Sequence, residues 1–209
     1  MRVILLGPPG AGKGTQAAKL GAKLGVPHVS TGDILRHQVE KSTTLGKKAH
    51  EYMAAGKLVP DELVIDMVRR RLREKDAQRG YILDGFPRTL AQARALDEFA
   101  PADVVVNLYL DPEDLVKRST GRMVCPKDDI VYHVFTNRPR QPGMCDKCGS
   151  KLIQREDDRE SVVRTRIRTY DDFTDPVVQY YKEKGLLRDV YGSGLIEEIQ
   201  ERMLGALRR

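Results

Sequence analysis

Gly7-Pro8-Pro9-Gly10-Ala11-Gly12-Lys13-Gly14-Thr15 follows the apolar run Val3-Ile4-Leu5-Leu6 and leads into a segment, to Leu24, with Ala17, Leu20 and Leu24 at helical spacing. Strand, glycine-rich turn and helix, in that order, are the setting of a phosphate-binding loop. Glycines let successive backbone N–H groups turn inward, the helix start adds partial positive charge, and Lys13 can reach the outer phosphates. Nucleotide contacts are expected on Gly10, Ala11, Gly12, Lys13, Gly14 and Thr15. The strict motif has Ser or Thr directly after the lysine; here Gly14 intervenes, which points away from GTPases.

Outward from the loop, Tyr81-Ile82-Leu83 and Val104 to Leu110 read as buried strands, with a helix from Thr89 to Phe99 between them. Ser30-Thr31-Gly32-Asp33 offers a cap for a helix carrying Ile34 and Leu35, and Leu63 to Leu72 repeats the helical pattern. Strands alternating with helices predict an α/β fold, a parallel sheet flanked by helices. From Arg122 to Asp158, prolines and glycines break the pattern, which reads as an inserted subdomain. Helical spacing returns from Glu160 to Lys184, Leu186 to Val190 reads as a last strand, and Leu195 to Leu207 as a closing amphipathic helix.

With 209 residues, 40% of them apolar, one main core is expected. No apolar run approaches the roughly 18 to 20 residues of a bilayer span, so no membrane partner is expected. The first apolar stretch is too short for a signal-peptide core, which predicts a cytoplasmic protein. A net charge of +6 suggests anionic partners without choosing among them. All three cysteines, Cys125, Cys145 and Cys148, are clustered. Cys145-Asp146-Lys147-Cys148 and Cys125-Pro126-Lys127-Asp128 form two corners separated by a long loop, the arrangement of a tetrahedral structural Zn²⁺ site. Asp128 leads on spacing, with Asp129 and His133 as alternative fourth ligands.

Asp84-Gly85-Phe86-Pro87-Arg88-Thr89 follows a strand, so Asp84 should emerge at the sheet's ligand-binding edge, suited to holding Mg²⁺ through water. Together with the phosphate loop, Ser30 to Arg36 and Gly56-Lys57-Leu58-Val59-Pro60-Asp61-Glu62-Leu63, this motif resembles the adenylate kinase family, in order and across essentially the whole chain. The resemblance implies a P-loop core with a helical monophosphate-binding insertion and a small β-rich lid. It divides the chain into a core (1–29, 60–121 and 159–209), an AMP-binding region (30–59) and a lid (122–158). It implies AMP contacts at Thr31, Arg36, Lys57, Leu58, Val59, Gly85, Phe86, Pro87, Arg88 and Gln92. Arg122, Val131 and Tyr132 match ATP contacts, Arg118 a family arginine near the nucleotide, and backbone contact to adenine is expected near Gly194. Arg155 and Arg166 match arginines that reach the phosphates on lid closure, joining Lys13, Asp84, Arg88 and Arg122 in catalysis. Zinc-bearing relatives usually have Cys where Asp128 stands.

The residues agree with that reading in part. Arg36 and Arg88 can each grip a phosphate bidentately, and Arg88 and Gln92, four apart, are expected on one helix face, with Gln92 free to read adenine. Asp157 and Asp158 match an acidic hinge pair, or else form a capping cluster before the helix at Glu160. The expected reaction is ATP + AMP = 2 ADP, by a monomer. A UMP or CMP kinase is the competing enzyme, and a zinc-finger-like nucleic-acid module the competing binder; missing histidine partners and the lack of a recognition-helix pattern argue against the latter.

Overall fold

The computed structural model describes residues 1–208. Its strands are β1 (Arg2–Leu6), β2 (His28–Ser30), β3 (Tyr81–Asp84), β4 (Val104–Tyr109), β5 (Arg122–Val124), β6 (Val131–His133) and β7 (Leu187–Tyr191). Five of them form one parallel sheet in the order β2-β3-β1-β4-β7, and β5 and β6 form a separate antiparallel pair. The central strands are continuous apolar runs because both faces are covered. Alternation along β1 sends Ile4 and Leu6 to one face, with Leu83 and Val105, and Val3 and Leu5 to the other, with Ile82 and Val106.

The helices are α1 (Lys13–Leu24), α2 (Thr31–Glu40), α3 (Thr44–Ala54), α4 (Asp61–Leu72), α5 (Leu90–Phe99), α6 (Pro112–Thr120), α7 (Glu160–Phe173), α8 (Asp175–Glu183) and α9 (Ile196–Leu207). Helices α1 and α9 pack on the Val3 face, and α4, α5 and α8 on the Ile4 face. From β1 the chain goes first to β2 and β3 on one side, and later to β4 and β7 on the other. The carboxyl end of β1 is therefore the switch point, where open parallel sheets bind ligands.

Periodicity missed α3 and α6, whose apolar residues are few. The helical stretch from Glu160 is two helices, interrupted at Thr174 before Pro176. Arg88 precedes α5 rather than sharing a helix face with Gln92: Thr89 is the cap, its hydroxyl accepting from the Gln92 N–H.

Candidate active site

The loop between β1 and α1 is fixed by close backbone packing. Gly7 has φ +139°, and a Cβ there would lie 2.3 Å from the Leu108 carbonyl oxygen, so only glycine fits. The start of α1 has no side-chain cap and no acid in its first turn, leaving its N–H groups open to an anion. Lys13 Nζ donates to the carbonyls of Gly7 (2.6 Å) and Pro8 (2.9 Å). Burial pushes its pKa down to about 8 against the opposing pull of Asp84.

Asp84 stands at the end of β3, its Oδ2 3.4 Å from His28 Nε2. Burial works against its ionisation, but His28 and Lys13 outweigh it and hold the carboxyl below its ordinary range. An ionised, nearly buried carboxylate beside the phosphate loop fits a hydrated Mg²⁺.

Two adjoining cavities open beside the loop. The first is lined by Thr31, Arg36, Lys57, Leu58, Val59, Gly85, Arg88 and Gln92, so motifs distant in sequence meet at one cavity; Gly7, Lys13 and Pro87 line the second. Arg88 and Arg166 line both. The Phe86 side chain is fully buried in the core, so only its backbone can serve a ligand.

Gln92 is not a surface residue. Its Oε1 accepts from Arg88 N–H (2.7 Å) and its Nε2 donates to Asp61 Oδ1 (2.7 Å). One amide proton and one lone pair remain for a base. Asp61 also accepts from Thr89 Oγ1 (2.8 Å), and thereby orients both residues; the sequence shows it as part of the Gly56–Leu63 motif and an acid at a helix start, with no sign of these partners.

Carboxylates occupy the arginines. Asp33 pairs with Arg36 (2.5 Å) and Arg155 (3.4 Å), Asp157 with Arg166 (2.9 Å) and Arg36 (3.9 Å), and Asp158 with Arg122 and Arg166. The capping alternative for Asp157 and Asp158 is overturned: both are buried among arginines, and the α7 cap is Arg159, with no side-chain cap bond. Burial opposes ionisation of Asp33, yet Arg36 and Arg155 hold its carboxyl at about 2. Burial also lowers Arg155 and Arg166 to about 10. Lys13, Arg36, Arg88, Arg122, Arg155 and Arg166 outnumber Asp33, Asp84, Asp157 and Asp158, so the cleft keeps an excess positive charge that phosphates can neutralise.

The segment from 122 to 158 touches α2 through Arg155–Asp33, Arg36–Asp157 and His37–Asp129 (3.2 Å). Within it, Cys125, Asp128, Cys145 and Cys148 bring one ligand atom each within 4.8 Å of the others. Cys125 Sγ lies 3.4 Å from Cys148 Sγ and 3.8 Å from Asp128 Oδ2. A tetrahedral zinc with bonds of about 2.3 Å would set sulfurs roughly 3.8 Å apart, so the donors fit that ion. Lys147 holds the other Asp128 oxygen at 2.6 Å. Asp129 and His133 fall outside the cluster; His133 Nδ1 instead accepts from the Phe135 and Thr136 N–H groups.

The remaining expected contacts lie apart from the two cavities. Tyr132 is buried beside the cysteines, its hydroxyl 3.6 Å from Cys145 Sγ, which makes its side chain part of that small core; Val131 is its β6 neighbour. Arg118 Nη1 donates to the Gly192 carbonyl (2.9 Å), beside Gly194.

The family model described as adenylate kinase matches residues 5–186. An adenylate kinase of Archaeoglobus fulgidus is 52% identical over 95% of this chain and 94% of its own length. Those of Acetivibrio thermocellus and Streptomyces avermitilis are each 46% identical, over 99% and 100% of this chain and 98% of their own lengths. With likeness of that extent laid over a phosphate loop, an arginine-lined cavity and a parallel α/β sheet, the chain belongs to the adenylate kinase family, phosphotransferases of the nucleoside monophosphate kinase class.

Proposed function

We propose that this chain transfers the terminal phosphoryl group of ATP to AMP, ATP + AMP = 2 ADP, at the junction of its two cavities, and so balances the adenine nucleotides. The observation carrying this reading is that Arg88 and Arg166 line both cavities, with Lys13 on one side and Arg36 on the other. A group moving between two nucleotides needs shared cationic walls at the point of transfer.

In this assignment the first cavity takes AMP, through Thr31, Arg36, Lys57, Leu58, Val59, Gly85, Phe86, Pro87, Arg88 and Gln92. ATP lies over residues 10–15, with Arg118, Arg122, Val131, Tyr132 and the tail at Gly194. AMP's phosphate has a second pKa of about 6 and is already nucleophilic at neutral pH, so no general base is required. Lys13, Arg88, Arg122, Arg155 and Arg166 orient the phosphates and offset the charge that spreads in the transition state. Mg²⁺ bound with ATP supplies further neutralisation of the phosphate oxygens, and Asp84 would hold it through water.

Water competes with AMP as acceptor, so the cleft has to shut. The segments 122–158 and 30–59 serve as lid and AMP-binding region over the core, and their contacts at Asp33, His37 and Asp157 support closure of one onto the other. When nucleotides enter, their phosphates replace Asp33, Asp157 and Asp158 on the arginines. Zn²⁺, held by Cys125, Asp128, Cys145 and Cys148, would brace the lid. No helix among the described residues is long and apolar enough to cross a membrane; a cytoplasmic monomer is the working state, on composition and family resemblance.

Initial rates with AMP, CMP, UMP and GMP as acceptors, at one concentration of Mg²⁺ and ATP, test this reading. AMP should be preferred by at least about tenfold, since it alone of the four joins a purine ring to a six-position amino donor beside a ring-nitrogen acceptor, the edge that the Gln92 amide matches; preference for a pyrimidine would overturn it.

A further inference from the structure

The turn Tyr191-Gly192-Ser193-Gly194 joins β7 to α9 and lies against the phosphate loop. The Gly192 N–H donates to the Tyr109 carbonyl at 2.9 Å, and a Cβ on Gly192 would sit 3.2 Å from the Ala11 carbonyl oxygen. Guanidinium groups hold its carbonyls from two sides. Arg202, nearly two turns into α9, donates Nη1 to the Tyr191 carbonyl and Nη2 to that of Ser193 (2.5 Å), while its Nε donates to Glu198 O (3.3 Å). Arg118 takes the Gly192 carbonyl. The turn's fourth carbonyl, that of Gly194, has no partner among the described residues.

A side chain at Gly194 would be strained. Its φ is +108°, and a Cβ would lie 2.4 Å from Glu198 Oε2, which accepts from Leu195 N–H, and 3.0 Å from Arg202 Nη2. The turn therefore offers a base its backbone alone, with one free acceptor.

We infer that Arg202 is a positioning residue for the donor base: by strapping the Tyr191 and Ser193 carbonyls to α9 it leaves Gly194 O as the acceptor that meets the base, and so favours ATP over GTP as donor. This rests on the reading above that the tail turn holds the donor base. Adenine presents an amino group at its six position, which donates to a carbonyl, whereas guanine presents an oxygen, which a carbonyl repels. Without the strap, the turn offers several competing acceptors in a less ordered backbone, and orientation of the donor is lost.

The test compares Arg202→Met and Arg202→Lys in the full-length protein. Arg202→Met should raise KM for ATP about fivefold and narrow the ATP-over-GTP ratio of kcat/KM by a similar factor, leaving KM for AMP, kcat at saturation and Tm unchanged; Arg202→Lys should recover part of the loss, one ammonium still reaching a carbonyl. Unchanged KM for ATP in Arg202→Met overturns the proposal. A parallel rise in KM for AMP with a fall in Tm also overturns it, since that is the mark of a general structural role. Gly194→Ala separates the two levels of the argument. If it raises KM for ATP while Arg202→Met does not, only the strap falls; if neither variant affects KM for ATP, the placement of the donor base on this turn falls as well.

Discussion

The sheet core and the segment from 122 to 158 are built on different energetics within one chain. Around β1, β3 and β4, fully buried aliphatic side chains face helices on both sides of the sheet, each contributing about 1.5 to 3 kcal/mol of burial free energy. The segment's own buried cluster is Cys125, Tyr132, Cys145 and Leu152, and its two strands have three residues each. Such a cluster cannot order 37 residues (122–158) by burial alone. Cross-links between cysteines and a carboxylate can, through a metal. The phosphate loop thus sits on the packed sheet core, while Arg122 and Arg155 belong to the segment with the small cluster, which the proposed closure would move without disturbing the core.

The largest effect expected from breaking this division is at Lys13. Lys13→Met should cut kcat by about a hundred- to a thousandfold without lowering Tm, because the ammonium is buried against its preference; a fall in Tm that accounts for the lost rate would contradict the assignment. Next is the core: Leu83→Ala removes a fully buried side chain and should cost about 3 kcal/mol in urea unfolding, with the specific activity of the folded fraction retained.

The metal corner sharpens the contrast. A chelator should make the chain cleavable by trypsin at Lys127, Arg140 and Lys147 and lower turnover roughly ten- to a hundredfold, while far-ultraviolet circular dichroism keeps the core's signal. Equal protease resistance with and without chelator, or less than about one-tenth of a zinc per purified chain, would remove the metal from the account.

The smallest expected effect is on pH dependence. Lys13 in the free protein has a pKa of about 8, and phosphates alongside raise it. Binding therefore takes up a proton above pH 8. ATP affinity should be level below that value and fall as pH rises through it, by up to about tenfold per unit until the bound-state pKa is reached; a flat profile from pH 7 to 10 would show that the ammonium does not pair with phosphate.

The sheet core was readable from sequence because its signals are local. Val3 to Leu6, the glycines and Lys13 specify strand, turn and helix within about twenty residues. Cysteine spacing likewise gave the four-atom cluster, including Asp128. Helix α6 was missed although Asp111-Pro112 carries a start signal, because its two aliphatic residues, Leu115 and Val116, are adjacent and give no helical repeat. The partners of the arginines were beyond reach for another reason. Asp33 meets Arg155 across 122 positions, and Asp61 orients Gln92 across 31; neither pairing leaves a local pattern.

Phosphorus NMR of Mg²⁺, ATP and AMP mixed with the purified protein asks directly whether two nucleotides meet in this cleft. Two ADP should form for each ATP consumed, without inorganic phosphate, until the nucleotides reach a stable mixture. ATP and AMP that remain with no ADP formed, or ATP that decays to ADP and free phosphate while AMP stays constant, would contradict the account.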